Sequence, residues 1–368
     1  MKVQRIGPAA LGQVVLVLQG GGALGAYQAG VYEALCGAGT EPDWVIGTSI
    51  GAINAGIIAG NAPENRLPRL REFWQRVEQG SPFGYVTTLA SGIPAFFAPR
   101  PLTWGAGTQM RVGLDEASYY RTEPLRQTLT ELIDARILNQ TKTRLTVGAV
   151  HVRSSQMRYF DSREQPIRLE HIMASGALPP AFPAIRIDGE AYWDGGLYSN
   201  TPLEAVLDDN PRRDSVIFAV NVWQPTGPEP ASVWEVLGRE KDIQYASRSD
   251  SHIARQKQIH RLRHVIRELS KSLSAEKQDT PECRELASWG CATVMHVVRL
   301  LAPALASEDY FKDIDFSPDG IRARWQAGID DTRRMLERAP WEDPVDPMEG
   351  IVVHELSART GEKIVENA

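Results

Sequence analysis

Ser49 stands in a short motif typical of serine nucleophiles. The motif Gly47-Thr48-Ser49-Ile50-Gly51 follows an apolar run at 44–46 and precedes a helical stretch of small residues at 50–60. A serine between two glycines, at a turn from strand to helix, forms an elbow that lifts the hydroxyl above the sheet. The spacing therefore predicts that Ser49 is the nucleophile of an acyl transfer.

A glycine-rich loop offers a second candidate functional element, namely backbone N–H donors. The loop Gly20-Gly21-Gly22-Ala23-Leu24-Gly25 joins an apolar run at 14–18 to a predicted helix. Backbone N–H groups at such a helix start can hold a phosphate or stabilise an oxyanion. The loop alone leaves both possibilities open.

The same loop also fits G-x-G-x-x-G, the fingerprint of dinucleotide binding. That hypothesis requires an acidic residue at the far end of the second strand. The acidic candidates, Glu41 and Asp43, precede that strand, and Ser49 follows it. The sequence therefore favours the oxyanion hypothesis over nucleotide binding.

Asp194 is the strongest candidate for a base that activates Ser49. In the α/β-hydrolase fold, the serine elbow follows several strands and a histidine completes the triad. Here only about two strands fit before Ser49, and five of the seven histidines lie in the C-terminal tail. Asp194 ends a predicted hairpin and is followed by Gly195 and Gly196. Burial and a hydrogen bond from the serine would be needed to make a carboxylate an effective base. The alternative is that Asp-Gly-Gly only forms the exit of a hairpin.

Alternating strands and helices position these groups over the first 225 or so residues. Strands are predicted at 14–18, 44–46, 144–150, 184–187, 191–193 and 216–222, and helices at 23–36, 50–60, 67–79 and 123–136. This alternation predicts an α/β fold with a mostly parallel central sheet and helices on both faces. Asp188-Gly189 predicts a tight hairpin between two of the strands.

A Pro-rich stretch at 224–230 marks a change in composition. Helical patterns follow at 231–273, 283–303 and 320–338. We therefore predict a catalytic domain over 12–223 and a mainly helical C-terminal region over 231–368. A further segment at 81–107 combines aromatic residues with many Pro and Gly; it is either a lid for an apolar substrate or an irregular surface loop.

Composition narrows the class of protein. The 368 residues are 42% hydrophobic and carry a net charge of −6, which excludes extensive disorder and does not favour nucleic-acid binding. No apolar run is long enough to span a membrane. The run at 14–18 is too short for a signal peptide, and the three cysteines form no disulfide pattern, so we expect a cytoplasmic protein.

The stretch 252–273 is basic and has apolar residues at helical spacing, namely Ile259, Leu262, Ile266, Leu269 and Leu273. Such a helix can lie on an anionic membrane, so peripheral membrane contact is one hypothesis. The other is that the apolar stripe packs on its own domain. His260 and His264 share one face, but no third metal ligand accompanies them, which predicts a solvated pair.

Taken together, the motifs resemble those of the patatin-like phospholipase family. The glycine-rich loop 20–25, the elbow 47–51, the segment 174–183 and Asp194-Gly195-Gly196 occur in the family's order. The resemblance covers 12–223 and implies a three-layer fold. The tail resembles the helical extension of a bacterial subgroup of the family.

The resemblance implies an enzyme that hydrolyses acyl esters of lipids, with Ser49 and Asp194 as a catalytic dyad and without a metal or other cofactor. Backbone N–H groups of Gly20, Gly21, Gly22 and Ala23 would form the oxyanion hole, and Gly25, Gly47, Gly51, Gly195 and Gly196 would support the motifs. Many family members carry Arg or Lys at the position of Leu24, so an anionic head group is not implied. Two alternatives stay open: an esterase for short-chain or polyester-type esters, and a non-catalytic lipid-binding module.

Overall fold

A nine-stranded sheet runs through the described residues of the computed structural model, which are 12–78, 111–246, 248–305 and 308–355. The strands are β1 (Gln13–Leu18), β2 (Trp44–Gly47), β3 (Arg144–His151), β4 (Met157–Asp161), β5 (Ile185–Ile187), β6 (Glu190–Asp194), β7 (Ser215–Asn221), β8 (Met295–Leu301) and β9 (Ile351–Glu355). Their order is β5-β6-β3-β2-β1-β7-β8-β9, and β4 pairs with β3. The six neighbouring strands β3-β2-β1-β7-β8-β9 are parallel to one another, whereas β4, β5 and β6 pair in antiparallel fashion.

Both faces of the sheet are covered. In β1, Val14, Leu16 and Leu18 belong to one apolar core, while Val15 and Val17 belong to a second core on the opposite face. Successive side chains of a strand point to opposite faces, so a strand apolar throughout needs a helical layer on each side. The predicted three-layer α/β fold with a mostly parallel sheet is confirmed.

Twelve α-helices lie within the described residues. They are α1 (Ala26–Gly37), α2 (Ile50–Ala59), α3 (Pro63–Val77), α4 (Glu123–Leu132), α5 (Ala135–Gln140), α6 (Leu169–Ser175), α7 (Glu204–Leu207), α8 (Val233–Ala246), α9 (Arg248–Ser272), α10 (Ala275–Gln278), α11 (Pro281–Ala287) and α12 (Pro318–Arg338). Helices α1, α2 and α12 contribute to the larger core, and α7 and α9 contribute to the smaller one.

The predicted helix at 123–136 is interrupted. Helix α4 ends at Leu132, and the Asp134 carboxylate accepts hydrogen bonds from the N–H groups of Arg136 and Ile137 at the start of α5. A capping carboxylate of this kind starts a new helix, so one continuous helix was the wrong prediction. The segment predicted as a lid or surface loop, 81–107, lies outside the described residues.

The C-terminal region is mainly helical, as predicted, but two strands within it extend the central sheet. The helix predicted at 283–303 is wrong over 295–301, because β8 pairs there in parallel with β7. Strand β9 then pairs with β8. The division of the chain at 223–231 stays a prediction, but hydrogen bonding in the sheet continues across it.

Helix α12 packs closely along α1. A Cβ atom at Gly30 would collide with the carbonyl oxygen of Trp325, and one at Gly328 would collide with that of Tyr27. The Tyr27 hydroxyl also donates to the Asp331 carboxylate at 3.0 Å. Because two glycines let the backbones approach, the last long helix belongs to the same core as the glycine-rich loop.

Helix α9 packs through a different face from the one that the apolar spacing indicated. Its buried residues include Ile253, Gln256, His260 and His264. The prediction of a solvated histidine pair is therefore wrong. The apolar stripe is instead largely exposed, since Leu262 and Leu269 are each 62% exposed. The polar residues of this face find carbonyl and carboxylate partners, which sequence periodicity does not reveal.

Candidate active site

Ser49 occupies a sharp bend between β2 and α2. Its φ of 57° and ψ of −125° lie outside the regions that most residues adopt. Such a conformation costs about 1–3 kcal/mol and persists only when its surroundings hold it. A Cβ atom at Gly47 would collide with the Gly51 carbonyl, and one at Gly51 would collide with the Leu18 carbonyl. The two glycines thus permit the elbow through close backbone contact.

Ser175 holds the elbow against the neighbouring strand. The Ser49 N–H lies 3.1 Å from the Ser175 hydroxyl oxygen and 3.2 Å from the Ser175 carbonyl oxygen. The Ser175 hydroxyl donates in turn to the Gly148 carbonyl at 2.6 Å. These bonds link α6 and β3 to the elbow, and they leave the Ser49 hydroxyl for other chemistry.

Asp194 lies at the end of β6 and is only 2% exposed. One carboxylate oxygen accepts a hydrogen bond from the Gly196 N–H at 2.7 Å. Burial raises the pKa of Asp194 to about 7, and the Gly196 N–H and the Ser49 hydroxyl lower it by smaller amounts. The structure therefore brings the two residues of the predicted dyad together, and it surrounds the carboxyl with the apolar environment that a stronger base requires.

The glycine-rich loop lies beside Ser49 and offers two N–H donors. A Cβ atom at Gly20 would stand 3.0 Å from the Ser49 Cβ. Gly22 has a φ of +55°, and a Cβ atom there would collide with the Asp313 carbonyl. Among the described residues, neither Gly21 nor Gly22 donates its N–H to a backbone hydrogen bond.

The other two predicted donors are already used. The Gly20 N–H donates to the Asn200 carbonyl at 3.1 Å, and the Ala23 N–H donates to the Asp313 carbonyl at 2.8 Å. A donor that is engaged by a carbonyl cannot also bind an oxyanion without breaking that bond. The predicted set of four donors therefore narrows to Gly21 and Gly22.

Three residues that hold the loop were missed from the sequence. The Gly20 carbonyl accepts from the Asn200 side-chain amide at 3.0 Å and from the Trp223 indole at 2.7 Å. The side-chain oxygen of Gln19 accepts hydrogen bonds from the Val222 and Trp223 N–H groups, and the side-chain NH₂ group of Gln19 donates to the Thr201 hydroxyl. The position of Asn200, six residues after Asp194, was the only hint in the sequence that Asn200 belongs to the site. That hint can be interpreted only in the folded chain, where the sheet brings Asn200 against Gly20.

Asn200 is expected to act as a positioning residue. Its Oδ1 atom lies close to the Cα atoms of both Gly20 and Gly196, so one side chain spaces the two loops of the site. We expect Asn200→Ala to lower kcat for ester hydrolysis about tenfold to a hundredfold, because small displacements of reacting groups have effects of this size. KM should stay within about twofold of the wild type. A matching rise in KM would instead indicate a role in substrate binding.

An apolar pocket of about 190 Å³ opens above Ser49 and Asp194. Apolar residues from several elements line it: Ile50, Ile53, Leu125, Met173, Leu178, Ala181, Phe182, Ile314 and Phe316. Polar groups converge where Ser49, Asp194, Asn200 and the glycine-rich loop meet. A small polar centre in an apolar cleft is typical of a site for an apolar ligand.

The C-terminal region contributes part of this pocket. Tyr245 of α8, Asp313, Ile314 and Phe316 line it. An ion pair of 2.8 Å between Lys241 and Asp313 joins the two segments that carry them. Leu24, in contrast, is buried in the core at 2% exposure, so the position at which many relatives have a basic residue does not face the pocket here.

No helix of the described residues is both long enough and apolar enough to cross a membrane. The same part of the chain contains no group of three or more His, Cys, Asp or Glu residues arranged to hold a metal ion.

The chain belongs to the patatin-like phospholipase family. The sequence model described as Patatin-like phospholipase matches residues 16–207, which include the elbow, the glycine-rich loop and Asp194. A second model, described as Patatin phospholipase, matches residues 243–348 and so covers most of the C-terminal region. Membership supports a hydrolase of lipid esters.

Three other proteins are similar to this chain over part of their length. A cGAMP-activated phospholipase of Pseudomonas aeruginosa is 29% identical over 201 residues, which are 51% of this chain and 54% of the relative. The chain thus matches about half the length of that relative. VipD from Legionella pneumophila is similar at a TM-score of 0.37 with 15% identity, over 88% of this chain and 66% of VipD. The type III effector ExoU is similar at 0.29 with 12% identity, over 88% and 53% of the two chains.

Proposed function

We propose that this protein is a serine acyl hydrolase that cleaves acyl esters of lipids through Ser49 and Asp194. The observation that carries the proposal is the placement of a buried Asp194 carboxyl, with its pKa raised to about 7, against the hydroxyl of a serine in an elbow. A base is most effective when its pKa lies near the working pH.

In the proposed reaction, the Ser49 hydroxyl attacks the ester carbonyl while the Asp194 carboxylate takes its proton. The tetrahedral oxyanion accepts hydrogen bonds from the N–H groups of Gly21 and Gly22. Each such donor contributes about 3 kcal/mol to lowering the barrier. The alcohol leaves with a proton from Asp194, and water then releases the acyl group from Ser49 by the same steps. The carboxylate and the backbone donors supply both functions, so no metal is required by this scheme.

The apolar lining favours an acyl chain as the group that the pocket binds. The residues around Ser49 and Asp194 offer apolar surface and few polar partners, which suits a hydrocarbon chain better than a polar hydroxyacyl chain. The proposal therefore places lipid esters before short-chain or polyester-type esters. A purely lipid-binding role would not explain why a strained serine stands against a buried carboxyl.

A series of p-nitrophenyl esters from two to sixteen carbons tests the proposal. We expect kcat/KM to rise with chain length, by about two- to fourfold for each methylene that the pocket buries, until the pocket is filled. EDTA should leave the rates unchanged. A preference for the acetate would favour the short-chain esterase, and hydrolysis that depends on added metal would contradict the scheme.

Cytoplasmic location and peripheral membrane contact through 252–273 stay predictions. Exposed Leu262 and Leu269, together with the basic residues of α9, are compatible with contact to an anionic surface.

A further inference from the structure

Exposed apolar residues surround the N-terminal end of α8, a helix that lies at the same edge of the sheet as the active site. Val233, Trp234 and Val236 are 74%, 58% and 50% exposed, and Phe311 is 41% exposed. The Trp234 ring lies 5.6 Å from the rings of both Tyr310 and Phe311. We refer to Val233, Trp234, Val236, Tyr310 and Phe311 as the aromatic rim.

The aromatic rim is connected to the pocket by two adjacent segments. Trp234, Gly238, Lys241 and Tyr245 lie on one stripe of α8, and the segment 309–316 runs along it. The Lys241 ammonium donates to the Tyr310 carbonyl and pairs with Asp313. Tyr245 and Asp313 both line the pocket. An acyl chain that leaves the pocket along this path therefore reaches the rim.

A second group of exposed apolar residues lies at the opposite edge of the sheet and includes Leu262, Leu269, Leu286 and Trp289. Arg299, near the carboxyl end of β8, pairs with Asp250 at the start of α9. Further along α9, His264 contacts the carbonyl of Thr293, which precedes β8. Helix α9 thus runs from the carboxyl edge of the sheet to its amino edge, about 20 Å away for a seven-residue strand. The catalytic groups follow the carboxyl ends of β1 and β2, so the end of α9 lies far from the pocket.

Charge at the aromatic rim does not favour an anionic partner. The nearby cations are engaged: Lys241 pairs with Asp313 at 2.8 Å, Lys312 with Asp242 at 2.7 Å, and the Arg239 guanidinium donates to two carbonyls. Three carboxylates of the surrounding segments are exposed, namely Glu235, Glu240 and Asp309. Anionic head groups would meet this negative charge, whereas zwitterionic head groups would not be repelled.

We propose that the aromatic rim is the surface by which this protein contacts a zwitterionic lipid layer, and that it delivers the acyl chain from that layer to the pocket. The inference rests on the proposed function, because a lipid-ester hydrolase needs its pocket mouth at the lipid. Tryptophan and tyrosine suit this role, since their rings are apolar while their polar atoms stay near water. The surface differs from the stripe of 252–273, whose exposed Leu262 and Leu269 lie towards the amino edge of the sheet, where His264 contacts Thr293.

Fluorescence quenching by brominated phosphatidylcholine in phosphatidylcholine vesicles tests the contact directly. We expect the wild-type protein to be quenched, and the quenching to be largely lost in Trp234→Phe. Trp289→Phe is the matched control, because Trp289 is 65% exposed but lies beyond α11 at the amino edge. Unchanged quenching in Trp234→Phe, or its loss only in Trp289→Phe, would overturn the proposal.

Partition onto the same vesicles gives a second, independent result. Replacing Trp234 and Phe311 together by alanine should weaken partition about tenfold for each ring, while hydrolysis of a soluble butyrate ester stays at the wild-type rate. Replacing Leu286 and Trp289 should leave partition unchanged. Binding confined to vesicles with phosphatidylglycerol, and lost in the Leu286 and Trp289 variant, would overturn the proposal. If no ester is hydrolysed but quenching is lost in Trp234→Phe, the contact stands and the proposed activity fails.

Discussion

Ser49→Ala should lower the rate of ester hydrolysis by a factor on the order of 10⁴ to 10⁶. Losses of this size occur when the nucleophile of an acyl transfer is removed, because the oxyanion donors and the bound water then act alone. The loss should appear in kcat, with KM nearly unchanged, since the hydroxyl contributes little to binding the acyl chain. Steady-state rates with the best ester of the chain-length series measure both constants.

The fold should survive this substitution. The Ser49 side chain is not needed for backbone hydrogen bonding in the elbow, since the N–H and carbonyl of this residue make the structural contacts. Alanine keeps those contacts and the same backbone conformation. The melting temperature should therefore stay within about 2 °C of the wild type.

A covalent probe distinguishes loss of the nucleophile from damage to the site. A fluorophosphonate should attach to Ser49 in the wild-type protein, and mass spectrometry of the labelled peptide should identify that residue. Ser288, an exposed serine directly after α11, should remain unlabelled, and Ser288→Ala should retain full activity. Labelling of another serine, or a wild-type rate in Ser49→Ala, would contradict the proposed role of Ser49.

The catalytic motifs could be located from the sequence because each depends on local geometry. The elbow needs glycine at two fixed positions around Ser49, and the turn after Asp194 needs Gly195, where a Cβ atom would collide with the Gly148 carbonyl. Such requirements leave a mark in the residues themselves. The same holds for six of the nine strands, namely β1, β2, β3, β5, β6 and β7, whose residues gave their positions to within one or two residues.

Contacts between distant segments left no comparable mark. The apolar run of β8 has residues at 295, 297, 298 and 300 in the core, a spacing that a helix would also show, so periodicity alone did not identify a strand. His260 and His264 are buried because carbonyls of Leu207, Pro347 and Thr293 lie opposite them. Those partners are 29 to 83 residues away along the chain, which places them beyond sequence patterns.

The contribution of the C-terminal region to the site was hidden for the same reason. The structure shows that the tail supplies part of the pocket wall and supports the glycine-rich loop. The carbonyl of Asp313 holds the Ala23 N–H and lies against Gly22. A backbone carbonyl leaves no side-chain signature, so only the folded chain shows that the tail engages the Ala23 N–H of the glycine-rich loop.

Asp194→Asn should abolish hydrolysis and at the same time stabilise the protein at alkaline pH. The amide cannot take the proton of Ser49, so a rate loss of about 10³-fold or more is expected. The Asn side chain can still accept the hydrogen bond from the Gly196 N–H, which preserves the turn. It also removes a buried carboxylate, whose desolvation raises the pKa of Asp194 from 3.8 to about 7.

The sign of the stability change follows from that pKa. A carboxyl that is harder to ionise in the folded state contributes stability that is present below pH 3.8 and is lost as the pH rises through about 7. The whole loss is about 4 kcal/mol, of which about 3 kcal/mol falls between pH 5 and pH 8. The free energy of unfolding of Asp194→Asn should therefore exceed that of the wild type by about 3 kcal/mol more at pH 8 than at pH 5.

Activity of the wild type should depend on the same ionisation in the opposite direction. Only the carboxylate can accept a proton, so kcat/KM should fall about tenfold for each pH unit below about 7 and level off above it. Wild-type protein is thus expected to be most active where ionised Asp194 makes it least stable, a conflict that buried catalytic groups often impose.

Asp188→Asn is the matched control for both measurements. Asp188 is exposed in the hairpin six residues before Asp194, and Arg168 lowers the pKa of its carboxyl. Asn is also favoured in an Asx-Gly turn, so the hairpin should be retained. This variant should keep the wild-type rate and should not gain stability between pH 5 and pH 8. An equal gain in both variants would show that general charge, rather than the buried carboxyl beside Ser49, governs the pH dependence, and a pH-independent kcat/KM between pH 5 and pH 8 would remove Asp194 from the role of base.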